Sequence, residues 1–238
     1  YKCVTAVTGE LYAEMSHPRT MDVRLGISSK LDFKHIKEVW EGIVAAAKEH
    51  GYKQVTLDLV PSPNGLAVSI SSTGETTNLM AKRRPAAKSM DLICISDNIG
   101  AAFMGFQVLE REKRAFEKSG DAVAQPKLDD YKNLVGAYLR PQINPQIMPS
   151  YGYLVTRGLA DAVKRLVRDS GLGAKIYVDK LPFAGKTFEL GRELNIDPIS
   201  AALNGGEDYR LLFTIPIGKH EKFRHDFQTF DIIGHLAK

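Results

Sequence analysis

Apolar and polar positions alternate from Met21 to Ser28: Met21, Val23, Leu25 and Ile27 are separated by Asp22, Arg24 and Gly26. A period of two predicts a half-buried strand. The period then lengthens. Phe33, Ile36, Trp40, Ile43 and Ala47 form one helical stripe, with Asp32 placed to cap its start and Gly51 to end it. Alternation returns at Val55–Val60, where Val55, Leu57 and Leu59 oppose Thr56 and Asp58. Pro61-Ser62-Pro63-Asn64-Gly65 reads as a turn, and Leu66–Ser71 as the returning strand. Residues 55–71 are therefore predicted to be a hairpin, followed by loop from 72 to 90.

Asp91–Ser96 is a short apolar strand, Asp97-Asn98-Ile99-Gly100 a tight turn, and Ala101–Lys118 a charged-ended helix. Strand, glycine turn and helix in this order is the layout of a phosphate-binding corner, here with a single glycine. Residues 119–127 read as linker and 128–139 as helix. Pro141, Pro145 and Pro149 then interrupt regular structure. Beyond them the pattern predicts helix at 158–170, strand at 174–178 and helix at 187–195. A short helix capped by Asp197 follows, then strand at 210–215, helix at 219–227 and strand at 230–234. Strands and helices do not alternate strictly. The fold class is thus α+β, or a mixed sheet with helices on one face.

Composition narrows the class. The 238 residues are 44% apolar and 25% charged, ordinary for a globular domain or two. No run nears the roughly 18 apolar residues of a membrane span. The start of the chain lacks the apolar core of a signal peptide. Cys3 and Cys94 are far apart, and Cys94 lies in the apolar run Leu92–Ile95, as a buried free thiol would. A reducing cytoplasm is the expected location. The net charge of +4 is mild, and its densest basic run, Lys82-Arg83-Arg84, suits a solvated or anion-contacting loop. Neither nucleic acid nor membrane is an expected partner.

The most distinctive stretch is Asn204-Gly205-Gly206-Glu207-Asp208-Tyr209. Two glycines after a short helix serve as a C-terminal cap. The two carboxylates that follow sit where backbone can approach a ligand closely. This stretch closely resembles a signature of the thiamine-monophosphate kinases, in the aminoimidazole-ribonucleotide-synthetase-related superfamily. Asp91–Phe106, running into Leu109-Glu110-Arg111-Glu112-Lys113, resembles the family's middle strand, turn and helix in a form similar to Bacteroidetes-type members. Leu139-Arg140-Pro141 and the elements over 21–50 match as well.

The resemblance implies a two-domain fold, residues 1–88 forming an N-terminal dimerisation and nucleotide domain and 89–238 a C-terminal α/β domain. It implies a homodimer in which the N-terminal sheets pair, with the nucleotide between the two domains. The implied activity is phosphorylation of thiamine monophosphate to thiamine diphosphate by ATP, with Mg2+ held by carboxylates. Carried over by position, Trp40 and Arg84 are the expected nucleotide contacts, Glu207 and Asp208 the substrate contacts, and Asp58 and Glu10 the metal ligands. Three of them have a plainer use. Trp40 falls on the apolar stripe, Arg84 in the solvated basic run, and Asp58 on the polar side of a strand. No histidine lies in a motif, and no general base or nucleophile is expected.

The chain also departs from the family's pattern. Leu154-Val155-Thr156-Arg157-Gly158 aligns with a loop that carries two metal-binding aspartates, so leucine and arginine stand in their places. The glycines beside Asp58 are Thr56 and Leu57 here. The family's opening metal loop and its final segment have no counterpart, as in a partial or divergent chain. The alternative expectation is therefore a catalytically silent relative that binds a ligand or a partner.

Overall fold

The alternating run around Val23 becomes the central strand of a three-stranded sheet. In the computed structural model, which describes residues 1–76, 87–119, 128–143, 152–226 and 230–238, these residues form two compact units. Residues 1–76 make the first. Strand β1 (His17–Ile27) pairs in parallel with β2 (Gln54–Pro61) and antiparallel with β3 (Ala67–Glu75), in the order β2-β1-β3. Helices α1 (Lys2–Ala13) and α2 (Phe33–Glu49) supply the cover. Val4, Met21, Val23, Leu25, Ile43 and Ala46 form the core between them, each at most 2% exposed.

The hairpin expected over 55–71 does not form. β2 and β3 lie on opposite sides of β1. The apolar face of β1 is the most deeply buried of the three, which puts that strand at the centre. Helix α2 is the crossover that returns β2 parallel to it. Helix α1 was not legible either, because its inward face carries Thr5 and Thr8 beside Val4 and Tyr12. The Thr8 hydroxyl is accommodated by a polar chain: Thr8 Oγ1 lies 3.0 Å from the Tyr52 hydroxyl, which lies 2.8 Å from Ser72 Oγ. On the sheet's opposite face, Arg24 donates to Asp58 at 2.8 Å and Thr56 to Asp22 at 2.5 Å.

The second unit holds a five-stranded sheet in the order β5-β7-β4-β8-β6, antiparallel in each pairing. Its strands are β4 (Leu92–Ile95), β5 (Gly152–Val155), β6 (Gly173–Ile176), β7 (Arg210–Ile215) and β8 (Asp231–Ala237). Its helices are α3 (Ala101–Ser119), α4 (Lys132–Leu139), α5 (Leu159–Ser170), α6 (Thr187–Leu194), α7 (Pro198–Asn204) and α8 (His220–Asp226). Ile93, Ile95, Val155, Leu159, Leu166, Leu212 and Ile233 pack the sheet against α5. Met104, Val108, Leu134, Leu190 and Ala201 pack α3 against α4, α6 and α7. Asp197 caps α7 as expected, accepting from Ile199 and Ser200 at 3.2 and 3.0 Å, with Pro198 in the first turn. Local pattern does not reveal strand β5, because all four of its residues are buried and show no alternation. No described helix is long and apolar enough to cross a membrane.

Candidate functional site

The strand order brings three loops of the second unit to one sheet end. β5 and β4 flank β7, and both run antiparallel to it. The segments leaving β4 and β5 therefore meet the segment entering β7. These are residues 96–100, 156–158 and 205–209.

Main-chain bonds stitch the three together. Glu207 N–H donates to the Thr156 carbonyl at 2.8 Å, and Tyr209 N–H to the Val155 carbonyl at 2.9 Å. Ser96 N–H donates to the Leu211 carbonyl at 3.1 Å, and Leu211 N–H to Ser96 Oγ at 3.0 Å. Gly206, Glu207 and Tyr209 have φ of +74°, +62° and +50°. For Gly206 this is inexpensive, and a Cβ there would lie 2.7 Å from the Thr156 carbonyl oxygen. For Glu207 and Tyr209 it is strain that the surrounding bonds must hold.

Asp208, expected at the substrate, is 3% exposed. Its Oδ2 accepts from Gly100 N–H at 2.7 Å and its Oδ1 from Ala102 N–H at 3.1 Å. Burial pushes this carboxyl up from 3.8 to about 6. The two amides and Arg210 pull it down, and the neighbouring Asp97 pushes it up. The α3 N-terminus that the sequence suggested as a phosphate corner thus has its Gly100 and Ala102 amides taken by the chain's own carboxylate.

Arg210 and Asp97 complete the cluster, two residues that no motif in the sequence marks as part of a site. Arg210 Nη2 lies 3.3 Å from Asp97 Oδ2. The same guanidinium donates to the carbonyls of Asn98 at 3.2 Å and Gln142 at 2.6 Å. Asp97 Oδ1 also accepts from Asn98 N–H at 2.7 Å. The one available signal was position: Asp97 opens the glycine turn and Arg210 follows the paired acids. Arg157, on the 156–158 loop, is 75% exposed and lies 3.3 Å from Asp161 on α5. Leu154, aligned with a metal aspartate, is fully buried in β5 opposite Leu211.

The expected residues of the first unit do not gather. Trp40 packs on the helix-covered core. Asp58 lies on the opposite sheet face, bonded to Arg24. Glu10 is on the exposed side of α1. Arg84 lies outside the described residues. Among the described residues no three His, Cys, Asp or Glu side chains form a metal-sized group. In the first unit Asp58 is paired with Arg24; in the second Asp208 is taken by two amides and Arg157 stands on the 156–158 loop.

No protein-family model matches the chain. A curated thiamine-monophosphate kinase from Pyrococcus horikoshii is 25% identical over 238 residues, spanning all of this chain and 71% of that protein. One from Aquifex aeolicus is 24% identical over 221 residues, 91% of this chain and 68% of its own length. Along its length the chain is thus similar to thiamine-monophosphate kinases. A structure of AaThiL complexed with AMPPCP and TMP superposes with a TM-score of 0.79 at 21% identity, covering 99% of this chain and 75% of that one. The fold is also that of hydrogenase maturation protein HypE in complex with ATP, with a TM-score of 0.71 at 16% identity over all of this chain and 70% of the other.

Proposed function

We propose that this chain transfers the γ-phosphoryl group of ATP to thiamine monophosphate, giving thiamine diphosphate and ADP. The observation that carries this reading is chain-long similarity to curated thiamine-monophosphate kinases in a sequence that keeps the Gly205–Tyr209 loop. The chemistry suits a site without a general base. The attacking group is a phosphate oxygen, already anionic, so no proton has to be removed. It forms a bond to the γ-phosphorus as the bond to the β–γ bridging oxygen breaks. The protein then has to bind, align and neutralise charge.

In this reading Glu207 contacts the thiamine moiety, a cationic ring system that a carboxylate complements. Arg157 supplies fixed positive charge beside that loop for a phosphate. Trp40 and Arg84 serve the nucleotide, as the family resemblance implies. Magnesium enters as the ion that ATP carries, and no step is assigned to Glu10 or Asp58 through it. A homodimer belongs to the same reading and is supported by edge strand β2, which leaves Leu57 and Leu59 40% and 54% exposed. Light scattering on Leu59→Glu tests it, with a fall to monomer mass expected.

The activity test is incubation with ATP, magnesium and thiamine monophosphate, with chromatographic detection of thiamine diphosphate. Product that vanishes in Glu207→Ala is the expected result. A second reading, a silent relative that binds without turnover, is favoured by buried Leu154 and cationic Arg157 at the aligned metal positions. Calorimetric binding of thiamine monophosphate with no product at high enzyme concentration would establish it.

A further inference from the structure

We propose that Asp208 is a positioning residue, a buried clamp that holds the 205–209 loop in its strained form and so sets where Glu207 presents its carboxylate. The assignment of Glu207 to substrate rests on the kinase reading above. The clamp itself rests on geometry.

Glu207 and Tyr209, on either side of Asp208, both have left-handed backbone. Non-glycine residues avoid that region by about 1–2 kcal/mol each. The loop is held open on one side by the bonds of Glu207 and Tyr209 N–H to the carbonyls of Thr156 and Val155. Asp208 holds the other side. Its two oxygens reach Gly100 and Ala102, more than a hundred residues earlier in the chain. The approach is close: Gly100 has φ +77°, and a Cβ there would lie 3.1 Å from the backbone of Ala202. Around the carboxylate stand Arg210 and Asp97, themselves ion-paired at 3.3 Å. A side chain 3% exposed, with both oxygens committed to backbone, has no surface left for a ligand. What it controls is its neighbour, the half-buried Glu207.

Asp208→Asn isolates this role. An amide offers one oxygen and turns an NH2 group toward the second backbone N–H, donor against donor. Hydrogen exchange on the full chain should accelerate at least about tenfold at Gly100, Ala102 and Glu207, the size of one lost charge-assisted bond. Exchange at Lys175 in β6 should not change. Thiamine monophosphate affinity, measured by calorimetry, should fall in Asp208→Asn and in Glu207→Ala. The double variant should match Glu207→Ala within about twofold, because the clamp acts through Glu207.

Unchanged exchange at those amides, or affinity losses that multiply in the double variant, would overturn the proposal. If wild-type protein does not bind thiamine monophosphate, the kinase reading fails and the exchange pattern alone decides the clamp. If Asp208→Asn does not fold, wild-type exchange decides it. Gly100 and Ala102 amides protected as well as those of β7 support the clamp, since Asp208 is their acceptor, and rates typical of an uncapped helix N-terminus sink it.

Discussion

Arg210 reaches Asp97 across the end of the second sheet, 3.3 Å from guanidinium to carboxylate, while donating to the carbonyls of Asn98 and Gln142. One planar fork thereby ties β7 to the turn after β4 and to the segment after α4. The side chain of Arg210 is only 15% exposed, so water cannot readily replace these bonds. Arg210→Ala should cost roughly 2–4 kcal/mol in urea unfolding. Arg210→Lys should recover little of it, since one ammonium cannot match three acceptors in a plane.

The Asp208 carboxyl gives this chain a specific pH signature. Its folded value, about 6, lies above its ordinary 3.8, with burial the main cause. Between those values the folded state binds more protons than the unfolded state. The contribution of Asp208 to stability is therefore greatest below about pH 4, declines as pH rises to about 6, and is flat beyond. Urea midpoints at pH 4.5 and 7 should show this decline in wild-type protein relative to Asp208→Asn, which has no such titration. An equal pH response in the two proteins would contradict the assignment.

Two left-handed glycines should respond very differently to the same change. At Gly158, φ +92°, a Cβ would run into the carbonyl of Leu203 and the backbone of Asn204. At Gly171, φ +66°, nothing lies within 4 Å. Gly171→Ala should cost about 1 kcal/mol, the backbone strain alone. Gly158→Ala adds a backbone collision and should cost upward of about 3 kcal/mol. Thermal unfolding of the pair separates strain from crowding.

What was legible depended on whether one face of an element differed from the other. The Phe33 to Ala47 stripe marked α2, and the alternation at Met21–Ile27 marked β1. Helix α1 hid because Thr5 and Thr8 face inward and bond there. Strand β5 hid because Gly152–Val155 are buried on both faces. The sides of β1 taken by β2 and β3 are set by pairing at long range, which local pattern does not encode. The Gly205–Tyr209 loop stood out by its residue types. That Asp208 turns inward depends on Gly100, and spacing along the chain could not place that glycine beside it.

The cysteines offer an inexpensive check on the second core. Cys94 is fully buried in β4, and burial pushes its thiol up to about 12. Cys3 is exposed. A thiol reagent at pH 8 should label one equivalent in the native chain, at Cys3, and two in urea. Two fast equivalents in the native protein would mean that β4 does not lie between β7 and β8.

Arg157 separates the two functional readings. Its side chain is 75% exposed and its pairing with Asp161 spans 3.3 Å at the surface, so replacing it should change stability by less than about 1 kcal/mol. Function is another matter. If the fixed cation neutralises phosphate charge beside Glu207, Arg157→Asp should lower turnover at least about a hundredfold, as loss of a charge-stabilising group does. Arg157→Lys should retain a substantial part, because charge rather than a planar fork is what matters there. If the arginine instead excludes a metal from a silent site, Arg157→Asp removes the obstruction, and magnesium-dependent product formation should rise in the variant above wild type. The sign of the change in thiamine diphosphate formation therefore decides between a kinase that has replaced a metal ligand with an arginine and a relative that has lost the reaction.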